Sequence, residues 1–333
     1  MKVIKPGLFT TVQDLGRYKH EKDGFSVAGV MNQYFYKLAT ALVDNENSAV
    51  LEVTLNGPTL KLSESNIITF VAYDAEIYLD DLTVPVNTAI FVDKGQVLNI
   101  KQITKGTRGY LAFHKLLNID PILGSLSTHT RSGIGGYKGR TLKSGDTLNF
   151  KDKNLNPDVI GNKFNVEEDE EKYIIPIIKG LQFDQFTDAS KRLLTEQVYK
   201  ISDMSDRMGY RIIGESNLEH LDSADIISEP IAPGSVQIPS NGQPIILLND
   251  RQTIGGYTKI ATVSFVGRER LSQLKANDEI TFTWISVEEA NESYKEYSNK
   301  VKRDLDLIKI KKFKSLDFIR PKSKKLGQLI KGK

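Results

Sequence analysis

Apolar and polar residues alternate in short runs through most of positions 1 to 150 and 170 to 285. "NIITFVAYDAEIYL", "TAIFVDKGQVLNI" and "EITFTWISV" are examples, set apart by Gly, Asn, Asp and Pro. A period of two marks strands with one buried face, and the intervening residues mark turns. The chain is therefore expected to be mainly β with few helices. One helix is expected in "QYFYKLATALVD", where Phe35, Leu38 and Leu42 recur three and four residues apart, and a short one within "TDASKRLLTEQ". A third, over about residues 286 to 308, sets Val287, Ala290, Tyr294, Tyr297, Val301 and Leu305 on one stripe with charges opposite.

Two segments repeat in outline: "LKSGDTLNF" (142 to 150) and "LKANDEITF" (274 to 282) share Leu, Lys, Asp and Phe in register, and "DKGQVLNI" (93 to 100) has the same turn-then-strand form. Chance and a duplicated β module explain this about equally well. Between the halves, "KDKNLNPDVIGNKFNVEEDEEKY" is polar, lacks periodicity and reads as a linker or exposed loop. These signals divide the chain into an N-terminal β module (1–165), a C-terminal β module (166–290) and a basic helical or flexible tail (291–333).

A length of 333 residues and a hydrophobic content of 39% suit two folded modules with substantial cores. No apolar run of 18 residues exists and "MKVIKPGLFTT" has no hydrophobic signal core, so a cytoplasmic protein with no membrane partner is expected. The absence of cysteine rules out disulfides, thiolate metal sites and a cysteine nucleophile. The four histidines, at 20, 114, 129 and 220, show no ligand spacing, and no metal site is expected. The net charge of +3 is uneven: residues 300 to 333 hold 13 Lys or Arg against 3 Asp or Glu, which leaves −7 for the rest. Such a tail is most simply a solvated helix that competes for the acidic body; nucleic acid is not the expected partner.

Phosphate-loop, dinucleotide and nucleophile-elbow sequences are missing. "SGIGGYKGR" (132 to 140) is glycine-rich with Lys138 and Arg140; it reads first as a plain loop and second as an anion cradle. Three polar clusters fall at strand ends: "TVQDLGR" (11 to 17), "SDRMGYR" (205 to 211) and "VQIPSNGQPIILLNDRQTIGGY" (236 to 257). In these, Arg offers a planar fork for carboxylate or phosphate, Gln pairs with an amide, and Gly permits close backbone approach. The competing reading is structural, with Asp14, Asp206 and Asp250 satisfying turns and pairing with Arg17, Arg207 and Arg251. Residue chemistry alone reaches a β-rich, two-module protein with a candidate site for a polar, planar, anionic ligand.

"PGLFTTVQDLGR", "GSLSTHTRSGIGGYKGRTLKSGD", "SDRMGYRI" and "GSVQIPSNGQPIILLNDRQTIGGYTKIATV" resemble the signature blocks of the biotin-dependent carboxyltransferase family, subdomains A and B. That family includes the C-type subunit of bacterial 5-oxoprolinase, allophanate hydrolase subunit 2, the regulator KipA and part of urea carboxylase. The match runs from about residue 3 to 290. It implies two cyclophilin-like β-barrel modules and a function exercised with a B-type, KipI-like subunit, joined in the 5-oxoprolinase case by an A-type subunit.

By position, the resemblance points to Arg207, Arg251, Asp250 and Asp206 as catalytic groups, the arginines for an anion or phosphate and the aspartates to orient them. Gln237, Gln243, Gln252, Arg211 and Tyr257 are expected to bind a small amide substrate, and Gln13, Asp14 and Arg17 form a secondary N-terminal cluster. The implied activity is ATP-dependent opening of 5-oxoproline to glutamate, with ATP and magnesium as cofactors in the complex. Alternatives are a KipA-like regulator that binds a KipI-type inhibitor, and transfer of carboxyl from carboxybiotin to an amide, with biotin supplied on another protein. The N-terminal half departs from the family pattern: Ala28 and Asn32 replace a customary Ser and Asp, and Leu126 replaces an Arg.

Overall fold

A computed structural model describes residues 1–310. The N-terminal module runs β1 (Lys2–Lys5), β2 (Phe9–Gln13), α1 (Gln33–Leu42), β3 (Val50–Thr54), β4 (Thr59–Lys61), β5 (Asn66–Val71), β6 (Asp74–Leu79), β7 (Leu82–Thr83), β8 (Ile90–Val92), β9 (Val97–Lys105) and β10 (Arg108–Phe113). The C-terminal module runs β11 (Ile174–Lys179), α2 (Asp188–Glu196), β12 (Tyr199–Ile201), β13 (Gly209–Gly214), β14 (Asp225–Pro230), β15 (Ser235–Gln237), β16 (Ile245–Leu247), β17 (Ile254–Tyr257), β18 (Lys259–Val263), α3 (Phe265–Leu271) and β19 (Glu279–Trp284). It is followed by α4 (Val287–Ile310).

The first module folds as two five-stranded sheets, β1-β4-β9-β6-β7 and β2-β3-β10-β5-β8, around one core. The second is a closed barrel, β11-β18-β15-β16-β13-β12-β19, with β14 and β17 forming a separate two-stranded ribbon. The chain is mainly β with few helices, as its alternation predicts.

Strand β5 is buried along its whole length because both its faces are covered. Ile68 and Phe70 enter the sheet core, whereas Ile67 and Val71 lie under α1. Asn32 caps α1 by accepting a hydrogen bond from the Phe35 amide at 2.8 Å. The helix presents Phe35, Leu38 and Leu42, all essentially solvent-free, to β5 and β10. Leu38→Ala is expected to cost about 2–5 kcal/mol, read as a lower urea midpoint at constant slope.

The repeated segments take one turn three times. Gly95, Gly145 and Asn277 hold positive φ at matching positions. Lys143 N donates to Asp146 Oδ2 (2.7 Å) as Lys275 N does to Asp278 Oδ2 (2.9 Å). Leu148 and Phe150 in one copy, and Ile280 and Phe282 in the other, then enter the two cores. The sequence repeat is thus a repeat of turn geometry.

The fourth helix, α3, is unforeseen by periodicity. It has seven residues, a glycine and three charges, too short for an apolar stripe to register, and Ser264 caps it by accepting from Gly267 N. Helix α4 starts with a reciprocal pair, Glu289 N to Ser286 Oγ and Ser286 N to Glu289 Oε2. It runs across residue 290 and packs on α1 and α3 through Tyr297, Val301 and Ile308, while Val287 and Tyr294 of the expected stripe stay exposed. The rest of the basic tail lies outside the described residues.

The acidic stretch expected to be a linker is held on the body: Asp169 and Glu171 both pair with Arg270, and Leu155, Ile160, Phe164 and Val166 pack beside α1. No helix of the described residues is long and apolar enough to cross a membrane.

Candidate functional site

The two modules meet along a polar seam that their strands build by alternation. On β3, Leu51 and Val53 enter the sheet core, so Glu52 must face the other way, opposite Tyr110 of β10. The turn before β13 places Arg207 against this face from the second module. Its Nε and Nη2 bind the two oxygens of Asp250, each at 3.0 Å, Nη1 donates to Glu52, and Nη2 also reaches the Gly29 carbonyl. Glu52 further accepts from Met31 N (2.7 Å) and Tyr110 Oη (2.9 Å). Arg108 donates to Tyr210 Oη at 2.9 Å and to the Ser272 carbonyl at 2.6 Å. Two arginines and two carboxylates are therefore buried together with balanced charge. Burial alone would pull the Arg207 pKa down; Asp250 and Glu52 outweigh it and hold the guanidinium charged. Burial, with the Glu52 carboxylate adding to it, pushes the Tyr110 phenol well up.

The same "NDRQTIGGY" segment ties the modules beyond this cluster. Asn249 donates to the Val30 carbonyl (2.8 Å) and accepts at its own carbonyl from Ala28 N (3.1 Å); Ser26 Oγ donates to the Arg251 carbonyl (2.6 Å). Ala28 sits at φ +54° and Gly29 at +82°, which turns their backbone toward Asn249. Asn32 donates Nδ2 to Ser272 Oγ (2.9 Å) and to the Glu269 carbonyl (3.3 Å), bonds that a carboxylate cannot give.

Above the seam lies a cleft of about 470 Å³, floored by Asp250 and bordered by Ser26, His129 and Arg131 from the first module and Met208 and Gln252 from the second. The His129 ring reaches the Asp250 carbonyl at 3.3 Å. Beside the cleft, Gln237 of β15 is 2% exposed, and its Nε2 is buried with no hydrogen-bond partner. Gly255 packs beside this amide: a Cβ there would stand 2.6 Å from Ile231 Cδ1, 3.1 Å from Gln237 Nε2 and 3.6 Å from Gln252 Nε2. Neighbouring Lys259 is buried and paired with Glu229 at 2.7 Å, with Gln182 bridging the two. A larger hollow, about 940 Å³, lies between α3, α4 and the acidic stretch, where Arg270, Asp169 and Glu171 already pair with one another.

The expected site residues fall in several places. Asp250 and Gln252 line the cleft, and Gln237 lies behind its wall, beside Gly255 and Gln252. Arg207 reaches it only through Asp250, so the expected anion contact is corrected to a clamp: its fork is occupied by protein acceptors. Arg251 is 4% exposed and turns away, donating to the Ile231 and Leu248 carbonyls. Tyr257 is 40% exposed on the ribbon.

Asp206, Arg211 and Gln243 are not brought in. Asp206 caps an exposed turn through Met208 N, Arg211 faces solvent, and Gln243 ties Gly214 to Asn217. In the N-terminal cluster, Asp14 accepts from Ser125 Oγ, Ser127 Oγ, Leu126 N and Gly16 N. Arg17 donates to the Ile122 and Ser127 carbonyls, and Gln13 to the Thr128 carbonyl. All three fasten residues 122–128, the structural alternative. The glycine-rich loop is likewise packed: Gly136 N and Gly139 N bond the Leu126 and Gly135 carbonyls, and a Cβ on Gly135 would overlap the Ser127 carbonyl oxygen.

Glu52, Arg108, His129 and Arg268 are not among the residues expected from sequence. For Glu52 a signal existed, a lone acid flanked by apolar residues in "AVLEV". Arg108 and His129 lack any local mark, because their partners come from the opposite module, and Arg268 sits in a short charged segment that does not read as a helix.

Two β modules clamped by buried charge around a shared cleft define a two-subdomain carboxyltransferase-type architecture. The chain belongs to the family described as carboxyltransferase domain, subdomain A and B, whose model matches residues 23–284. It is 34% identical over 292 residues to the C-type subunit of Escherichia coli 5-oxoprolinase, covering 87% of this chain and 93% of that protein. Urea amidolyase of Saccharomyces cerevisiae is 26% identical over 341 residues, 96% of this chain but 18% of that protein. The solved structure of Kluyveromyces lactis urea carboxylase superposes with a TM-score of 0.82 at 25% identity, across 91% of this chain and 29% of that one. The chain thus spans under a third of these large urea-processing relatives and nearly all of the bacterial 5-oxoprolinase component.

Proposed function

We propose that the protein is the C-type subunit of a 5-oxoprolinase-type complex and presents its inter-module cleft to a small cyclic amide, with B-type and A-type partners completing the reaction. The observation that carries this reading is Gln237, an amide removed from water with its Nε2 unpaired, with Gly255 rather than a side chain against it and Gln252 of the cleft wall nearby. Burying such a group without a partner costs about 1–3 kcal/mol, a cost recovered when a ligand supplies the bond. A cyclic amide displays N–H and C=O on one edge, and a glutamine side chain matches that edge with an acceptor and a donor. Gln237 Nε2 would orient the substrate carbonyl oxygen and stabilise charge growing there. The similarity to the Escherichia coli protein over nearly its full length supports the complex.

Among the described residues no group of three or more His, Asp or Glu is arranged to hold a metal ion, and Arg207 is occupied. Magnesium carried on nucleotide phosphates needs only one or two carboxylates, so ATP and magnesium remain part of the proposal for the whole complex, and no step of this chain runs through them.

The test is reconstitution: the chain is purified with its B-type and A-type partners, and glutamate formed from 5-oxoproline with ATP is measured. Glutamate above the partner-only control is the expected result, and no increase removes the reading. Carboxyl transfer to urea is the second reading, favoured by the 26% identity that spans 96% of the chain. It requires a biotinylated carrier, and consumption of urea only when that carrier is present would establish it instead.

A further inference from the structure

Along residues 250–252 the side chains diverge. Asp250 and Gln252 border the cleft, whereas Arg251 passes behind it to the loop after β14, where Nε donates to the Ile231 carbonyl at 3.0 Å and Nη1 to the Leu248 carbonyl at 3.4 Å. Arg268 of α3 arrives at the same loop: its Cδ would stand 3.1 Å from a Cβ on Gly234. Its Nε is buried and has no hydrogen-bond partner, and its guanidinium lies 5.3 Å from the Phe265 ring centre. Among the described residues neither arginine makes an ion pair. Glu269, beside Arg268, is engaged by Gln33 N, Tyr34 N and Tyr297 Oη, and Glu21 makes no ion pair with either. Burial, aided by repulsion from Arg268, draws Arg251 down to about 10.

We propose that Arg251 and Arg268 form an oxyanion site at the module seam, separate from the amide-binding cleft, that takes a phosphate or carboxylate group. Two like-charged forks reach one loop, Arg251 buried and Arg268 half-buried with its Nε unpaired, and neither has a counter-ion; an oxyanion would supply one by accepting from both. Tyr18, 52% exposed, stands near Arg268: burial pushes its phenol up and the Arg268 charge offsets part of that. The site does not depend on the amide reading, because it uses neither Gln237 nor Gln252.

Melting temperature is measured for the full chain against inorganic phosphate and against succinate, each compared with chloride at equal ionic strength. At least one oxyanion is expected to raise it, and a response to phosphate alone or to succinate alone assigns the group. In Arg268→Gln the half-saturating concentration is expected to rise at least about tenfold, the loss of one charge-assisted contact. Arg251→Gln provides a second variant should the first misfold. In chloride, Arg268→Gln is expected to melt no lower than the parent. No shift with either oxyanion, unchanged responses in both variants, or a clear destabilisation of folded Arg268→Gln in chloride would each overturn the site.

Discussion

Arg207→Met is expected to destabilise the protein by about 3–5 kcal/mol, the cost of removing one partner from a buried ion cluster. Urea unfolding at neutral pH is the measurement. The size follows from what stays behind: Asp250 is 4% and Glu52 1% exposed, so both carboxylates are left largely buried without their partner. An exposed pair of the same residue types is worth only about 0.2–1 kcal/mol, so the two outcomes are well separated. Glu52→Gln is expected to lose less, because an amide oxygen still accepts from Met31 N and Tyr110 while Asp250 retains both of its bonds to Arg207. A loss below about 1 kcal/mol for Arg207→Met would show that the seam is not a clamp and would reopen Arg207 as a ligand-binding group. Stability rather than activity is the readout for this variant, since Asp250 forms the cleft floor and moves when its partner is removed.

Strands were legible where a sheet buries one face, which writes a period of two into the chain, as "EITFTW" shows in β19; β5 and β10, covered on both faces, read instead as apolar runs. Helix α3 was not, since seven residues bearing Arg268, Glu269 and Arg270 look like a charged loop until β11 and α4 are packed against them. The site divides along the same line. Gln237, Asp250 and Gln252 stand in one motif-rich region, so their proximity is expected from it. Which arginine holds Asp250, and whether Arg207 is free, depends on Glu52, some 155 residues away in the other module. Burial decides such roles, and burial across a seam leaves no mark in local spacing. The glycines of 133–139 show the converse: a conspicuous pattern whose physical cause is close packing on Ser127 and Leu126.

Gln237→Leu is expected to separate stability from function. Leucine is close in size and removes a buried amide whose Nε2 is unpaired, so the empty protein should be as stable as the parent or more so, by up to about 1–3 kcal/mol. The same change removes both hydrogen bonds offered to a cyclic amide. In the reconstituted complex it is expected to lower kcat/KM for 5-oxoproline by about 10²–10³, the scale set by loss of one preorganised oxyanion donor. Gln237→Glu sharpens the test: it retains an acceptor for the substrate N–H but loses the Nε2 donor, so its loss should fall mainly on kcat if Nε2 acts on developing charge. Neighbouring Lys259 is held by Glu229 and Tyr257, which keeps it from compensating. A Gln237→Leu complex that turns over like the parent, or a variant destabilised by several kcal/mol on the scale of a lost buried network, would make Gln237 an ordinary packing residue and leave the cleft without its amide-recognising group.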